Sequence, residues 1–252
     1  MPNKTSLITG ATSGFGLAIA KTLAKQQHRL IICGRRMDRL EKLAEELSTL
    51  TKVHCLKFDV QIEKEVLEAV KSLPKDFSEI DLLVNNAGLA LGKSTINEGL
   101  VKDWEVMIDT NVKGILYVTK ALYPLINKNG DGHIINIGSI AGKEVYPGGN
   151  VYCASKHAVD ALTKAMRQDF LKDSIRVSQI APGAADTEFS LVRFKGDQGK
   201  AKSVYNGYTP LQAQDIADCL SFIVNTPKHV CINDLVVMPR QQANSTTFNT
   251  YA

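Results

Sequence analysis

Short apolar runs alternate with longer stretches of helical period from the first residue to about position 180 of the chain. Such alternation predicts βαβ units and a mostly parallel sheet. The pattern places strands near 6–9, 29–33, 53–58, 82–85, 133–137, 176–180 and 235–238, with helices near 15–27, 36–47, 63–72, 103–126, 152–171 and 213–224. Residues 182–210 have the poorest periodicity and many polar positions, so an irregular lid over a site is expected at about 184–210. The ending NSTTFNTYA is polar enough to be frayed or docked on a neighbour. No fixed-period repeat and no Gly/Ser-rich or Pro-rich linker divides the chain, so one domain over 1–252 is expected, an α/β Rossmann-type doubly wound sheet.

Composition narrows the classes. A chain of 252 residues, 44% hydrophobic, can bury one sizeable core. Its net charge of +4 is spread thinly, which gives nucleic-acid binding little support. No run approaches the roughly 18 apolar residues of a membrane span, and MPNKTSLITG leaves no room for a signal peptide. Five cysteines without a C-x-x-C pair argue against a disulfide scaffold and for a reducing, cytoplasmic setting. The five histidines are scattered, with no H-E-x-x-H or Cys/His spacing, so no metal site is expected.

Two segments carry candidate chemistry. LITGATSGFG runs from a strand through Gly10, Gly14 and Gly16 into a helical stretch. The glycines would allow a tight strand exit, close approach of a pyrophosphate and close helix–sheet packing, and the helix N-terminus favours phosphate. Gly10, Thr12, Ser13, Gly14, Phe15 and Gly16 are therefore candidate cofactor contacts. A glycine trio also occurs for structural reasons, and this spacing is not G-x-G-x-x-G. The second strand ends in Gly34, Arg35 and Arg36 where an NAD site usually has an acid. Glycine leaves room for a 2′-phosphate and a guanidinium grips it, which favours NADP, although Arg36 is as readily a solvated helix start. Asp59 with Val60, and Asn85, Asn86, Ala87 and Gly88, fall at the ends of the next strands, where two amides and a glycine would line the same crevice.

The second segment is GGNVYCASKHAVD, which puts Tyr152 and Lys156 one helical turn apart. Hydride transfer to a carbonyl builds negative charge on oxygen, which needs a proton and hydrogen-bond donors. Tyr152 would supply the proton, Lys156 would favour the phenolate, and Ser139, at the end of HIINIGS, would hold the carbonyl oxygen. Asn111 is an amide inside an apolar-periodic helix, best explained by a backbone or water contact that relays protons towards Lys156. For an isolated Y-x-x-x-K, a packed tyrosine and a solvated lysine are the commoner reading. Cys153 beside Tyr152 reads as a packed side chain, and Trp104, Met107, Ile108 and Leu116 as core or subunit contact.

In order, TGATSGFG, Asp59, NNAG, Asn111, Ser139, Tyr152 with Lys156, and the run from Pro182 to Thr187 resemble the classical short-chain dehydrogenase/reductase family over essentially the whole chain. The resemblance implies a seven-stranded sheet with helices on both faces. It also implies a catalytic set of Asn111, Ser139, Tyr152 and Lys156, with Lys156 on the ribose, and nicotinamide contacts from Pro182, Gly183 and Thr187. It further implies a homotetramer built as a dimer of dimers through helices 103–126 and 152–171. Ser13 stands where many NADP-using members carry a basic residue, so cofactor choice leans on Gly34 and Arg35. NNAGLALG, DWEVMIDTN, GGNVY and TEFSLVRFKGD are most similar to the NADP-dependent 3-hydroxy acid (serine) dehydrogenases. Such substrates carry a carboxylate, for which Arg193 is the candidate clamp and Lys195 a solvated rim charge. A steroid, sugar or acyl thioester as substrate, and a catalytically idle nucleotide-binding protein, stay open as alternatives.

Overall fold

A computed structural model describes residues 4–126 and 131–251, so the extreme ends of the expected 1–252 domain lie outside the described residues. Seven strands form one parallel sheet: β1 (Thr5–Thr9), β2 (Arg29–Gly34), β3 (Val53–Lys57), β4 (Leu82–Asn85), β5 (His133–Ile137), β6 (Arg176–Pro182) and β9 (Asp234–Val237), in the order β3-β2-β1-β4-β5-β6-β9. The order reverses direction between β1 and β4, where a crevice opens beyond the strand ends. The strands at the centre bury both faces because successive side chains go to opposite sides: Ile8, Ile32 and Val84 join one cluster, and Leu7, Ile31 and Leu83 the other. Helices α1 (Gly14–Lys25), α2 (Met37–Ser48) and α9 (Ala213–Val224) cover the first face. Helices α3 (Glu63–Lys71), α5 (Gly114–Ile126) and α6 (Asn150–Asp169) cover the second. The expected single-domain Rossmann-type sheet is thus found. Among the described residues no helix is long and apolar enough to cross a membrane.

Three elements differ from the pattern reading. The helix expected over 103–126 is α4 (Val101–Ile108) and α5 joined by a π-helical turn, Asp109–Lys113. The wider turn brings Asn111 inward to the loop after β4, and Gly114 follows because a Cβ there would come within 2.9 Å of Val60. The lid is more regular than expected. Thr187 caps α7 (Glu188–Arg193), Asp197 caps α8 (Gln198–Ser203), and β7 (Ala185–Asp186) pairs in parallel with β8 (Leu211–Gln212).

The tail, expected to fray or to meet a neighbour, docks on its own chain. Asn249 N–H donates to Gln241 O at 2.8 Å and Tyr251 N–H to Gly207 O at 2.7 Å. Ser245 N–H donates to Glu144 Oε2 at 2.8 Å, and the Phe248 and Tyr208 rings lie 4.7 Å apart. It therefore bolts the lid to the loop between β5 and α6.

Candidate active site

At the crevice, the β1 exit turns at Gly10, whose φ of +65° suits glycine, and a Cβ there would crowd Ala87 and Asn86 at 3.1 Å. Gly16 is packed still more tightly, since its Cβ would lie 2.3 Å from Gly10 O. Asn86 ties the two loops together by donating from Nδ2 to Thr9 O at 2.8 Å and Gly10 O at 3.2 Å. Asn85, read from sequence as a second crevice amide, instead turns into the core and donates to Thr119 and Asn136. The resulting cleft of about 390 Å³ is lined by Gly10, Thr12, Ser13, Gly14, Phe15, Arg35, Arg36, Asp59, Val60, Asn86, Ala87, Gly88 and Thr187. Pro182 and Gly183 line the adjoining cavity rather than this cleft.

The donor set fits a phosphorylated dinucleotide. No acid ends β2, Gly34 leaves space beside Thr12, and Arg35 and Arg36 stand at the cleft rim. Arg35 Nη1 lies 3.5 Å from Asp59 Oδ2, and Arg36 Nη2 donates to Thr12 Oγ1 at 3.3 Å. Asp59 also accepts from Gln61 N–H at 3.0 Å, so its carboxylate closes a turn as well as facing the cleft.

The adjoining cavity of about 330 Å³ gathers Ser139, Tyr152, Lys156 and Arg193 with Phe15, Tyr146, Phe189, Tyr205, Tyr208, Gln242 and Phe248. Tyr152 is buried, and burial pushes its pKa up; a hydrogen bond with Ser139 and the nearby Arg193 charge pull the other way. Lys156 is 6% exposed, and burial brings its pKa down to about 8. Its Nζ donates to Ile137 O at 2.9 Å. Among the groups around Tyr152, Ser139 and Arg193 act against the upward shift. Ser139 is fixed as the cap of the short helix Ile140–Gly142, its Oγ accepting from Ala141 N–H at 3.1 Å.

Asn111 makes the backbone contact anticipated for it: Oδ1 accepts from Leu89 N–H at 2.9 Å and Nδ2 donates to Leu89 O at 2.8 Å. Nδ2 also donates to Ser155 Oγ at 3.0 Å, so only Oδ1 retains hydrogen-bonding capacity. Arg193 donates from Nε to Gly92 O at 3.1 Å and from Nη1 to Tyr146 Oη at 2.9 Å, and its Cζ lies 5.7 Å from the Tyr152 ring centre. Lys195 forms an ion pair with Asp103 at 2.8 Å, while Arg193 lines the cavity together with Lys93 and Lys156. Among the described residues no group of three or more His, Cys, Asp or Glu is arranged to hold a metal.

Sequence reading missed Tyr146, Phe189, Tyr208, Gln242 and Phe248 as cavity walls. Phe248 and Tyr208 left a trace, as aromatic residues in otherwise polar stretches. Tyr146 and Gln242 left none, because their roles depend on contacts with Arg193 and with Ala184 N–H.

A doubly wound parallel sheet with a glycine-rich loop beside Ser139 and the buried Tyr152 and Lys156 defines a nicotinamide-dependent oxidoreductase. The family model for short chain dehydrogenases matches residues 4–197, and the chain belongs to that family. It is 47% identical over 238 residues to sulfoacetaldehyde reductase 2 of Chromohalobacter salexigens, covering 94% of each chain. It is 44% identical to the NADP-dependent 3-hydroxy acid dehydrogenase YdfG of Escherichia coli K12, covering 94% of this chain and 95% of that protein. The solved closed form of serine dehydrogenase complexed with NADP+ matches with a TM-score of 0.92 at 42% identity, over 98% of this chain and 99% of its own. The protein is thus an NADP-dependent enzyme related to the 3-hydroxy acid and serine dehydrogenases.

Proposed function

We propose that the protein moves a hydride between NADP and the carbinol or carbonyl carbon of a small anionic substrate of the 3-hydroxy acid type, such as serine, allo-threonine or 3-hydroxypropanoate. The observation that carries this reading is Arg193, held over the Tyr152 ring by Gly92 and Tyr146, with no carboxylate partner among the described residues. Its Nη2 is left to meet an anion beyond the reacting oxygen.

The glycine loop, Arg35, Asn86 and Gly88 would hold NADP, whose nicotinamide would supply or accept the hydride when bound. Tyr152, kept protonated by burial, donates its proton to the developing alkoxide in reduction and takes it back in oxidation. Ser139 donates to the same oxygen and holds it beside Tyr152. Lys156 places an ammonium, charged below about pH 8, where the ribose is expected. Asn111 offers Oδ1 to a water that would carry protons to Lys156. The chain works as a dimer of dimers in the cytoplasm, with helices α4–α5 and α6 as the contact faces.

The relative named for sulfoacetaldehyde supports a second anion on the same scaffold, since a sulfonate one methylene from an aldehyde presents charge at a similar reach. Initial rates of NADP reduction at 340 nm on 3-hydroxypropanoate, L-serine, 2-hydroxyethanesulfonate and propan-1-ol decide between these readings. A kcat/KM at least tenfold higher for an anionic alcohol than for propan-1-ol is expected, and a preference for the uncharged alcohol overturns the proposal.

A further inference from the structure

We propose that Glu188 is a latch that keeps the lid closed over bound NADP, through its ion pair with Arg39 on α2. The cleft has two banks. Thr12, Gly34 and Arg36 form one, at the glycine loop and the entry to α2; Thr187, Glu188 and Val192 form the other, on the lid.

The banks meet at two points. Thr187 faces Gly14 so closely that a Cβ on that glycine would lie 3.5 Å from the threonine Cβ. Glu188 reaches across, with Oε1 3.4 Å from Arg39 Nη1 and Oε2 3.9 Å from Arg36 Nη2. As an acid in the first turn of α7 it also favours the helix N-terminus. It is half-exposed, it packs in no core cluster, and the end of α7 is already capped by Thr187.

The two arginines have different second duties. Arg36 also donates to Thr12 Oγ1 at the cleft rim, where a cofactor 2′-phosphate would draw it. Arg39, three residues further along α2, lies outside the cleft lining and stays available to the lid. The ion pair therefore persists when the cleft is filled. Cofactor leaves only as the two banks part, so the pair acts on the rate of release. The inference rests on NADP binding alone and is independent of which substrate the enzyme takes.

The test is the NADPH dissociation rate of the full-length enzyme, followed by stopped-flow fluorescence on displacement with excess NADP. Glu188→Gln and Arg39→Gln should each raise the rate about three- to tenfold, and the double variant should be no faster than the faster single one. Wild-type release should quicken with added salt, because the pair is solvent-exposed, and release from Glu188→Gln should respond less. Arg39→Gln probes the contact from α2 without altering the lid, so a folding defect in α7 leaves the test intact. Rates within about 1.5-fold of wild type in both single variants would overturn the latch. So would two effects that multiply in the double variant.

Discussion

Tyr152 shows how a residue's task follows from its surroundings. Burial keeps the phenol protonated, and Ser139 and Arg193 on the same cavity wall ease the loss of that proton. Tyr152→Phe deletes the proton without changing the ring, so kcat should fall by about 10²–10⁴ while NADP affinity stays within about twofold. Retention of more than about a tenth of kcat would remove the assigned role. At this scale much was legible. Tyr152 and Lys156 were readable because a helix repeats every 3.6 residues, and Ser139 because it leaves a strand at the carboxyl edge of the sheet. Asn85 was misplaced by one step of strand alternation: Asn85 and Asn86 go to opposite sides, and only Asn86 reaches the cleft. The influence on Tyr152 was assigned to Lys156 because the two share a helix face. The pull of Ser139 and Arg193, which come from other elements, cannot be read from that spacing.

At the scale of elements, the sheet's two ends do different work. The carboxyl ends of the strands carry the site, while the opposite end buries two histidines: His28 bonded to Ser6 at 2.7 Å and His133 bonded to Ser178 at 2.8 Å. Burial pushes their pKa values down from 6.5 to about 4 and about 3. The folded state then binds fewer protons than the unfolded chain below pH 6.5. Their contribution to stability is fully present above that pH and is lost as pH falls through 4 and 3. Each contributes on the order of 3–5 kcal/mol at most, because every tenfold change in proton affinity between the folded and unfolded states is worth about 1.4 kcal/mol. The urea midpoint should drop between pH 6.5 and 4.5, and the drop should be shallower in a His28→Gln, His133→Gln double variant. Equal slopes in both proteins would contradict this account.

The same scale shows where pattern reading stops. Strands and long helices announce themselves by local period, whereas α7, α8 and the β7–β8 pair are too short for a period and are fixed by caps and partners distant in sequence. The π-helical turn is invisible for the same reason. It is the geometric consequence of Asn111 reaching Leu89.

At the scale of the whole molecule, residues 242–248 help close the candidate cavity, a feature that polar composition alone read as a loose end. Phe248, in tilted ring contact with Tyr208, and Ser245, bonded to Glu144, complete a wall that exists only once lid, β5–α6 loop and tail are assembled. Among the described residues several large apolar side chains are exposed. Val101 and Leu116 are 60% and 40% exposed on α4 and α5, and Phe222 on α9 and Val236 on β9 are 62% and 45% exposed. For the proposed dimer of dimers, light scattering should return a mass about four times that of the 27.5 kDa chain, and a monomeric mass would count against it. The central claim is that Arg193 selects an anionic substrate, and the most direct measurement compares kcat/KM of wild type and Arg193→Met on 3-hydroxypropanoate and on propan-1-ol. Methionine keeps much of the stem's packing and removes the charge. The account predicts a loss of about 10²-fold or more on the hydroxy acid, about 2.7 kcal/mol, with the alcohol changed by less than about threefold. Equal losses on both substrates, or full retention on the acid, would contradict it.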